Sequence, residues 1–146
     1  GAVTSISRSP GGAVGPAMMA VGDGGFDEDP ARALESLTSF GEALTRNADG
    51  ASRQRFLGLS LATPPAVRGA MLRRRVDNEE TLRGLGIPAL VIHGDHDGVV
   101  LPAAGQANAE MIPGGRYLAF AESAHAPFVE EMPAFLAELD AFAAAL

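Results

Sequence analysis

Residues 88–102 read PALVIHGDHDGVVLP and residues 116–128 read RYLAFAESAHAPF, and these two stretches decide the fold. Each begins with a short apolar run, over 88–93 and 116–120, and continues into a polar loop. A short apolar run bounded by proline and glycine is typical of a buried parallel strand. Because residues 103–111 between the two runs are predicted to be helical, the order strand, helix, strand indicates an α/β fold.

The two polar loops contain every histidine of the chain. His93, Asp95, His96 and Asp97 follow the first predicted strand, and His125 follows the second. Ligands of open α/β sheets bind beyond the carboxyl ends of the strands, where both loops would lie. A histidine that acts as a general base needs a carboxylate to fix its tautomer and to stabilise the imidazolium. The spacing therefore predicts an acid–base pair across neighbouring strand ends.

These residues resemble the C-terminal part of the α/β-hydrolase family over about 87–146. In that family an apolar strand runs into G-x-x-D, and residues 94–97 read GDHD, so the resemblance implies that Asp97 is the triad acid. A later strand leads to the catalytic histidine, after which come a small residue, proline and an aromatic residue. Residues 125–128 read HAPF, which implies that His125 is the base. Ala124 departs from the pattern, because glycine commonly precedes this histidine.

The resemblance also implies a division of the chain. We expect the C-terminal part of an α/β-hydrolase parallel sheet with an inserted helical cap. Residues 1–25 would hold a strand remnant at 2–6 and a glycine-rich loop over 10–25, residues 26–84 the cap, and residues 85–146 the core segment.

Within 26–84, local signals predict a series of helices. Asp29-Pro30 is typical of a helix start, and an apolar stripe predicts that this helix ends near Asn47. Further starts are predicted at Ser52, at Thr63-Pro64 and at Asp77. The last segment, 128–146, is predicted to be one terminal helix.

The nucleophile of such an enzyme sits in a G-x-S-x-G elbow between a strand and a helix. Residues 58–62, GLSLA, are the nearest match, but arginine and glutamine precede them and Thr63-Pro64-Pro65 interrupts the helix that should come next. We therefore interpret Ser60 as a cap-helix serine and expect the nucleophile, serine or aspartate, outside this chain. The expected reaction is cleavage of an ester, thioester or lactone-type acyl bond, without metal or cofactor.

Several side chains are candidates for an apolar acyl pocket, although each fits a plain core as well. The candidates for substrate binding are Met18, Met19, Phe40, Phe56, Met71 and Val99. Of the remaining polar loop residues, Asp95 and His96 are expected to face solvent or cap the loop, and His93 is interpreted as structural.

The composition excludes several classes of function. A formal net charge of −7 argues against a nucleic-acid or anionic-membrane surface, and the arginine run 73–75 is most simply the solvated side of a helix. Cysteine and lysine are both absent, which excludes disulfides, thiolate zinc sites, Schiff bases and a P-loop lysine. With no membrane-span signal and no signal-peptide pattern, we expect a cytoplasmic protein. The expected partner is the N-terminal half of the hydrolase fold, or a second copy that exchanges elements.

Three other functions stay open. Residues 95–99, DHDGV, resemble the motif of haloacid-dehalogenase-like phosphatases, which require magnesium, but two residues separate them from the strand. His93-x-Asp95-His96 resembles the end of a metallo-β-lactamase zinc motif, whose first histidine would fall on Val91. A non-catalytic, hydrolase-like fragment that binds a partner is the third.

Overall fold

The computed structural model describes residues 13–47, 49–73 and 77–146. The predicted strand over 2–6 and the beginning of the glycine-rich loop lie outside the described residues, as do Arg74 and Arg75 of the arginine run.

Helices and strands follow one another in two groups. The first group is helical: α1 (Pro16–Val21), a 3-10 turn (Gly24–Phe26), α2 (Pro30–Ala43), α3 (Gly50–Ala62), α4 (Pro65–Arg73) and α5 (Glu79–Arg83). The second group alternates: β1 (Leu90–Gly94), α6 (Pro102–Met111), β2 (Arg116–Phe120), α7 (Pro127–Glu130) and α8 (Met132–Ala144).

Strands β1 and β2 form a parallel pair with α6 as the connection between them. Leu90 lies opposite Arg116 and Gly94 opposite Phe120, so the two strands end at the same level. The α/β prediction is therefore confirmed, and the loops that leave β1 and β2 are neighbours. The side chains of Leu90, Val91 and Ile92 are only half-buried, because the sheet has two strands within the described ranges.

The helical group packs around α2. This helix contacts α1, α3 and the 3-10 turn, and its inward side chains Ala33 and Leu37 are buried. Asp29 caps it through a 2.9 Å bond from the N–H of Ala31, as Asp29-Pro30 predicts. The start of α1 lies against the loop after β1, where Gly15 N–H donates to Val99 O at 2.8 Å and Ala17 N–H to Gly98 O at 2.9 Å.

The structure corrects the prediction of a loop over 10–25. Residues 16–21 form α1, and a 3-10 turn follows at 24–26. Proline at the first helical position supplies the required φ, and the glycines that suggest a loop lie at the ends of the helix instead. Gly15 precedes it, and Gly22 ends it with φ +52°.

Helix boundaries also differ from the predicted ones. The cap of α3 is Asp49, which accepts from Ser52 N–H at 2.7 Å, so the helix begins before Ser52. Thr63 ends α3, and α4 begins at Pro65. The terminal segment is two helices rather than one, because residue 131 interrupts it between α7 and α8. No helix in the described part of the chain is long and apolar enough to cross a membrane.

Candidate active site

Asp97 lies at the end of a tight turn that leaves β1. The turn closes through a bond from Asp97 N–H to Gly94 O, and Gly94 is needed there because a Cβ would lie 2.0 Å from Ala124 O. The Oδ1 atom of Asp97 accepts the N–H groups of Val99 and Val100 at 2.8 and 2.9 Å. These two backbone bonds hold the buried carboxylate in one orientation, independently of its contacts with other side chains.

His125 lies in the loop after β2 and contacts the other oxygen of that carboxylate. Its Nδ1 is 2.8 Å from Asp97 Oδ2, and its side chain is 22% exposed. Because an ionised carboxylate only accepts, Nδ1 carries the proton and Nε2 holds the free lone pair. Among the described residues Nε2 makes no hydrogen bond, so it can accept a proton from an incoming group.

His93, the last residue but one of β1, contacts the same carboxylate from inside the protein. Its Nε2 lies 3.0 Å from Asp97 Oδ2 and 2.9 Å from Val100 O. Both neighbours are acceptors, so Nε2 carries a proton. The ring is fully buried and α6 passes close to it, since a Cβ at Gly105 would lie 2.5 Å from Nδ1.

The electrostatics of this cluster favour an ionised acid. Burial alone would raise the pKa of Asp97, but hydrogen bonds from His125, His93 and the Val100 N–H hold that pKa far below its usual range. Burial lowers the pKa of His93, yet hydrogen bonding with Asp97 and with Val100 O outweighs it, so the pKa lies above its ordinary value. Asp97 is therefore an anion at neutral pH and can stabilise a protonated His125.

The loop that carries His125 is tied to the helical group. Glu130 accepts the Ala124 N–H at 2.8 Å through one oxygen, and the N–H groups of Arg46 and Asn47 through the other. The N–H of His125 itself donates to Leu44 O at 3.1 Å. Hydrogen bonds thus connect residues 44–47, which follow α2, to the loop that carries His125.

The other polar residues of the first loop form no hydrogen bond with the Asp97 carboxylate in the described part of the chain. Asp95 and His96 are exposed, and they contribute backbone N–H groups that donate to Phe120 O and Ser123 O, both at 3.0 Å. Their side chains make no hydrogen bond within the described ranges.

A pocket of about 200 Å³ lies within the helical group. It brings together three of the predicted substrate-binding residues, Met18, Phe40 and Met71, with Phe26 and Arg68. The other three lie elsewhere: Met19 is exposed, Phe56 is not in the pocket wall, and Val99 is buried in the loop of Asp97.

Ser60 also lines this pocket, in the last turn of α3. Its hydroxyl donates to Phe56 O at 2.9 Å within the same helix. An elbow needs a strand before the serine, and here helix surrounds it.

A second cavity, of about 310 Å³, opens beside Asp97 and His125. Its remaining wall is mostly apolar and includes Ile92, Phe128 and Leu139. Within the described residues no group of three or more His, Cys, Asp or Glu side chains could hold a metal ion.

Sequence reasoning misses the contacts of three side chains. The end of an apolar strand favours a structural role for His93, and only the turn geometry brings it to Asp97. Glu130 and Arg68 lie in helices where a charged residue usually faces solvent, so neither has a local signal.

The chain is similar to several esterases. It is 36% identical over 112 residues to the pimeloyl-[acyl-carrier protein] methyl ester esterase of Stenotrophomonas maltophilia, which covers 76% of this chain and 43% of that protein. The enzyme of the same description from Klebsiella pneumoniae is 33% identical over 101 residues, 68% of this chain and 39% of its own length. No family profile matches the chain.

The chain is also similar in structure to solved proteins. The esterase RhEst1 from Rhodococcus sp. ECU1013 superposes with a TM-score of 0.90 and 41% identity over 99% of this chain and 54% of that protein. A bromoperoxidase from Bacillus anthracis shares the fold, with a TM-score of 0.76 at 20% identity over 94% of this chain and 52% of its own. The chain thus spans about half the length of the proteins it matches.

Proposed function

The chain belongs to the α/β-hydrolase fold family, and we propose that it supplies the acid and the base of a catalytic triad that hydrolyses a carboxylic ester. His125 is the base, Asp97 orients it, and the nucleophile is a serine on a segment outside this chain. The substrate is a small ester with an apolar acyl group. Similarity to esterases supports the ester, and the Asp97–His125 contact supports the two roles.

The observation that carries the proposal is the contact of His125 Nδ1 with a buried carboxylate, which leaves Nε2 without a hydrogen bond to any described residue. The serine hydroxyl attacks the ester carbonyl while Nε2 takes its proton. The imidazolium then gives that proton to the leaving alkoxide, which departs as an alcohol, and an acyl-enzyme forms. Water attacks the acyl-enzyme while Nε2 takes a proton from it; the bond between the acyl carbon and the serine oxygen then breaks, the imidazolium returns the proton to the serine oxygen, and the carboxylic acid leaves.

The hydrogen bonds around Asp97 suit its role in this reaction. Four N–H groups lie at hydrogen-bond distance from its two oxygens, two from the backbone and two from imidazoles. The carboxylate therefore cannot rotate away when His125 gains charge. A preorganised anion of this kind stabilises the imidazolium without reorganisation during the reaction.

An exposed apolar surface supports a covering partner. Phe128, Met132 and Leu136, on α7 and α8, are each about half exposed, and Phe128 also lines the cavity at His125. Contiguous apolar surface of this kind marks a contact with other protein. We propose that the N-terminal half of the hydrolase fold, which carries the nucleophile, covers it.

Native mass measurement tests that partner. Size-exclusion chromatography with mass analysis of native material is expected to show a particle larger than 15.0 kDa that contains the missing half or a second copy. A cooperatively folded monomer of 15.0 kDa would contradict the covering partner and favour a non-catalytic fragment.

Alanine substitution of two histidines tests the activity in the complete enzyme. His125→Ala should lower kcat for short-chain esters by a factor of roughly 10³ or more. His96→Ala is the matched control, because His96 is exposed in the neighbouring loop, and it should retain kcat within about twofold. Equal loss in both variants, or no loss in His125→Ala, would overturn the assignment of the base.

A further inference from the structure

Two neighbouring glutamates hold the residues that come immediately before His125. Glu130 Oε2 accepts the Ala124 N–H at 2.8 Å, and Glu131 Oε2 accepts the Ser123 hydroxyl at 2.5 Å. Ser123 and Ala124 are buried, so the carboxylates take the place of solvent as partners for these donors. The proposed chemistry assigns no part to either glutamate.

An interruption between the last two helices lets both glutamates reach this loop. Adjacent side chains of a continuous α-helix project about 100° apart, so they do not face one neighbour together. Here α7 ends at Glu130, and Glu131 has φ −124° and ψ 42°, outside the helical region. The break therefore turns two successive carboxylates toward residues 123 and 124.

The other oxygen of Glu130 reaches the segment that follows α2. Its Oε1 accepts the N–H of Arg46, and the N–H of Asn47 at 3.2 Å. In the same segment Leu44 O accepts the His125 N–H at 3.1 Å. One carboxylate, with acceptors on both oxygens, thus connects the helical group to the loop that carries the base.

The turn that carries the acid confines this loop on another side. A Cβ at Gly94 would lie 2.0 Å from Ala124 O, so the two backbones are in close contact. Ala124 is therefore held by Glu130 and by the turn before Asp97. Because His125 is the next residue, a displacement of Ala124 would change the 2.8 Å distance between His125 Nδ1 and the Asp97 carboxylate.

We propose that Glu130 is a positioning residue for the base, whose carboxylate holds His125 against Asp97 by fixing the loop of the base to the segment after α2. The inference rests on the proposed function for the role of His125. The position requires a carboxylate, since both oxygens accept N–H groups and a glutamine would turn its NH₂ toward one of the two sides. A misplacement of about 1 Å in a catalytic group can lower the rate roughly 10²-fold.

Kinetics of the complete enzyme test the role. Glu130→Gln, which is isosteric, should lower kcat for a short-chain ester about tenfold while KM changes less than about twofold. Glu130→Ala should lower kcat about 100-fold, because glutamine keeps one acceptor and alanine keeps none. Glu110→Gln is the matched control, since Glu110 is exposed on α6, and it should retain kcat within about twofold.

Proton NMR of the same enzyme separates positioning from a loss of stability and needs no turnover. The Nδ1 proton of His125, which lies against the Asp97 carboxylate, is expected to give a far-downfield resonance that disappears in His125→Ala. In folded Glu130→Gln this resonance should move upfield or broaden, because the contact with Asp97 is no longer fixed. Glu110→Gln should leave it unchanged.

Three results would overturn the inference: an unchanged resonance or an unchanged kcat in folded Glu130→Gln, a rise in KM alone, or an equal loss of kcat in Glu110→Gln. A resonance that shifts in Glu130→Gln, in an enzyme whose unsubstituted form hydrolyses no ester, would refute the proposed function and still support the positioning of the imidazole by Glu130.

Discussion

Replacing Asp97 by asparagine sets a hydrogen-bond donor where the structure needs an acceptor. At present Oδ1 accepts from Val99 and Val100 N–H, and Oδ2 lies within 3.0 Å of His125 Nδ1 and His93 Nε2. An asparagine that keeps its oxygen on the two backbone N–H groups turns its NH₂ toward the two imidazoles. The opposite orientation turns the NH₂ toward the backbone N–H groups, which cannot change.

The consequence for His125 is a change of tautomer. Facing an NH₂ donor, Nδ1 must become the acceptor, so the proton moves to Nε2 and the base loses its lone pair at the reacting position. The precedent for this change in a triad is a loss of roughly 10⁴ in kcat, which corresponds to about 5.4 kcal/mol of transition-state stabilisation. A buried donor that loses its acceptor also lowers the free energy of unfolding by about 1–3 kcal/mol.

Steady-state kinetics on the complete enzyme, with urea unfolding as a check on folding, would measure both effects. Asp95→Asn is the matched control, because Asp95 is an exposed aspartate two residues away, and its kcat should change little. The reasoning would be refuted if Asp95→Asn were the more damaging change, or if Asp97→Asn kept more than about a tenth of the activity.

The remaining predictions concern the surroundings of the pair. His93→Leu should lower kcat and shift its pH profile, since Asp97 loses one of its four N–H contacts, whereas His93→Gln, whose amide can still donate, should recover part of the activity. Glu130→Ala should lower the free energy of unfolding by about 2 kcal/mol in urea titrations, because its oxygens accept backbone N–H groups from two loops, and substitution of the exposed Glu110 of α6 by alanine should not. Because the pKa of Asp97 is depressed in the folded state, its stabilisation is present above the ordinary value of about 3.9 and is lost as the pH falls below it; acid unfolding should therefore be less steep in Asp97→Asn than in wild type. Esterase activity should survive EDTA, because N–H groups already occupy the oxygens of Asp97, and a loss that one metal restores would point to the phosphatase or zinc interpretation.

Local patterns are enough to predict the two strands and to place an acidic loop and His125 at their ends. The apolar run at 116–120 coincides with β2, and the run at 88–93 predicts β1 with its start displaced by two residues and its end by one. Parallel strands that end at one level bring their loops together, so the contact of Asp97 with His125 is expected once the register is known. The resemblance to the family supplies the choice of Asp97 over Asp95.

Features that depend on tertiary contacts could not be predicted in this way. Helix α1 lies in a glycine-rich stretch, and its start is held by hydrogen bonds to residues 98 and 99, which local sequence does not report. The roles of His93 and Glu130 likewise depend on turns that bring distant backbone groups to them. The same holds for the pocket residues. The periodicity marks both Phe40 and Phe56 as apolar helix positions, but it does not tell that Phe40 lines the pocket and Phe56 does not.

Covalent labelling of the nucleophile tests the central claim most directly. A fluorophosphonate reacts with a serine that its histidine activates, and peptide mass mapping then identifies the modified residue. We expect stoichiometric labelling of the complete enzyme at a serine outside these 146 residues, and its loss in His125→Ala. An adduct on Ser60, or labelling that His125→Ala leaves unchanged, would contradict the proposed roles.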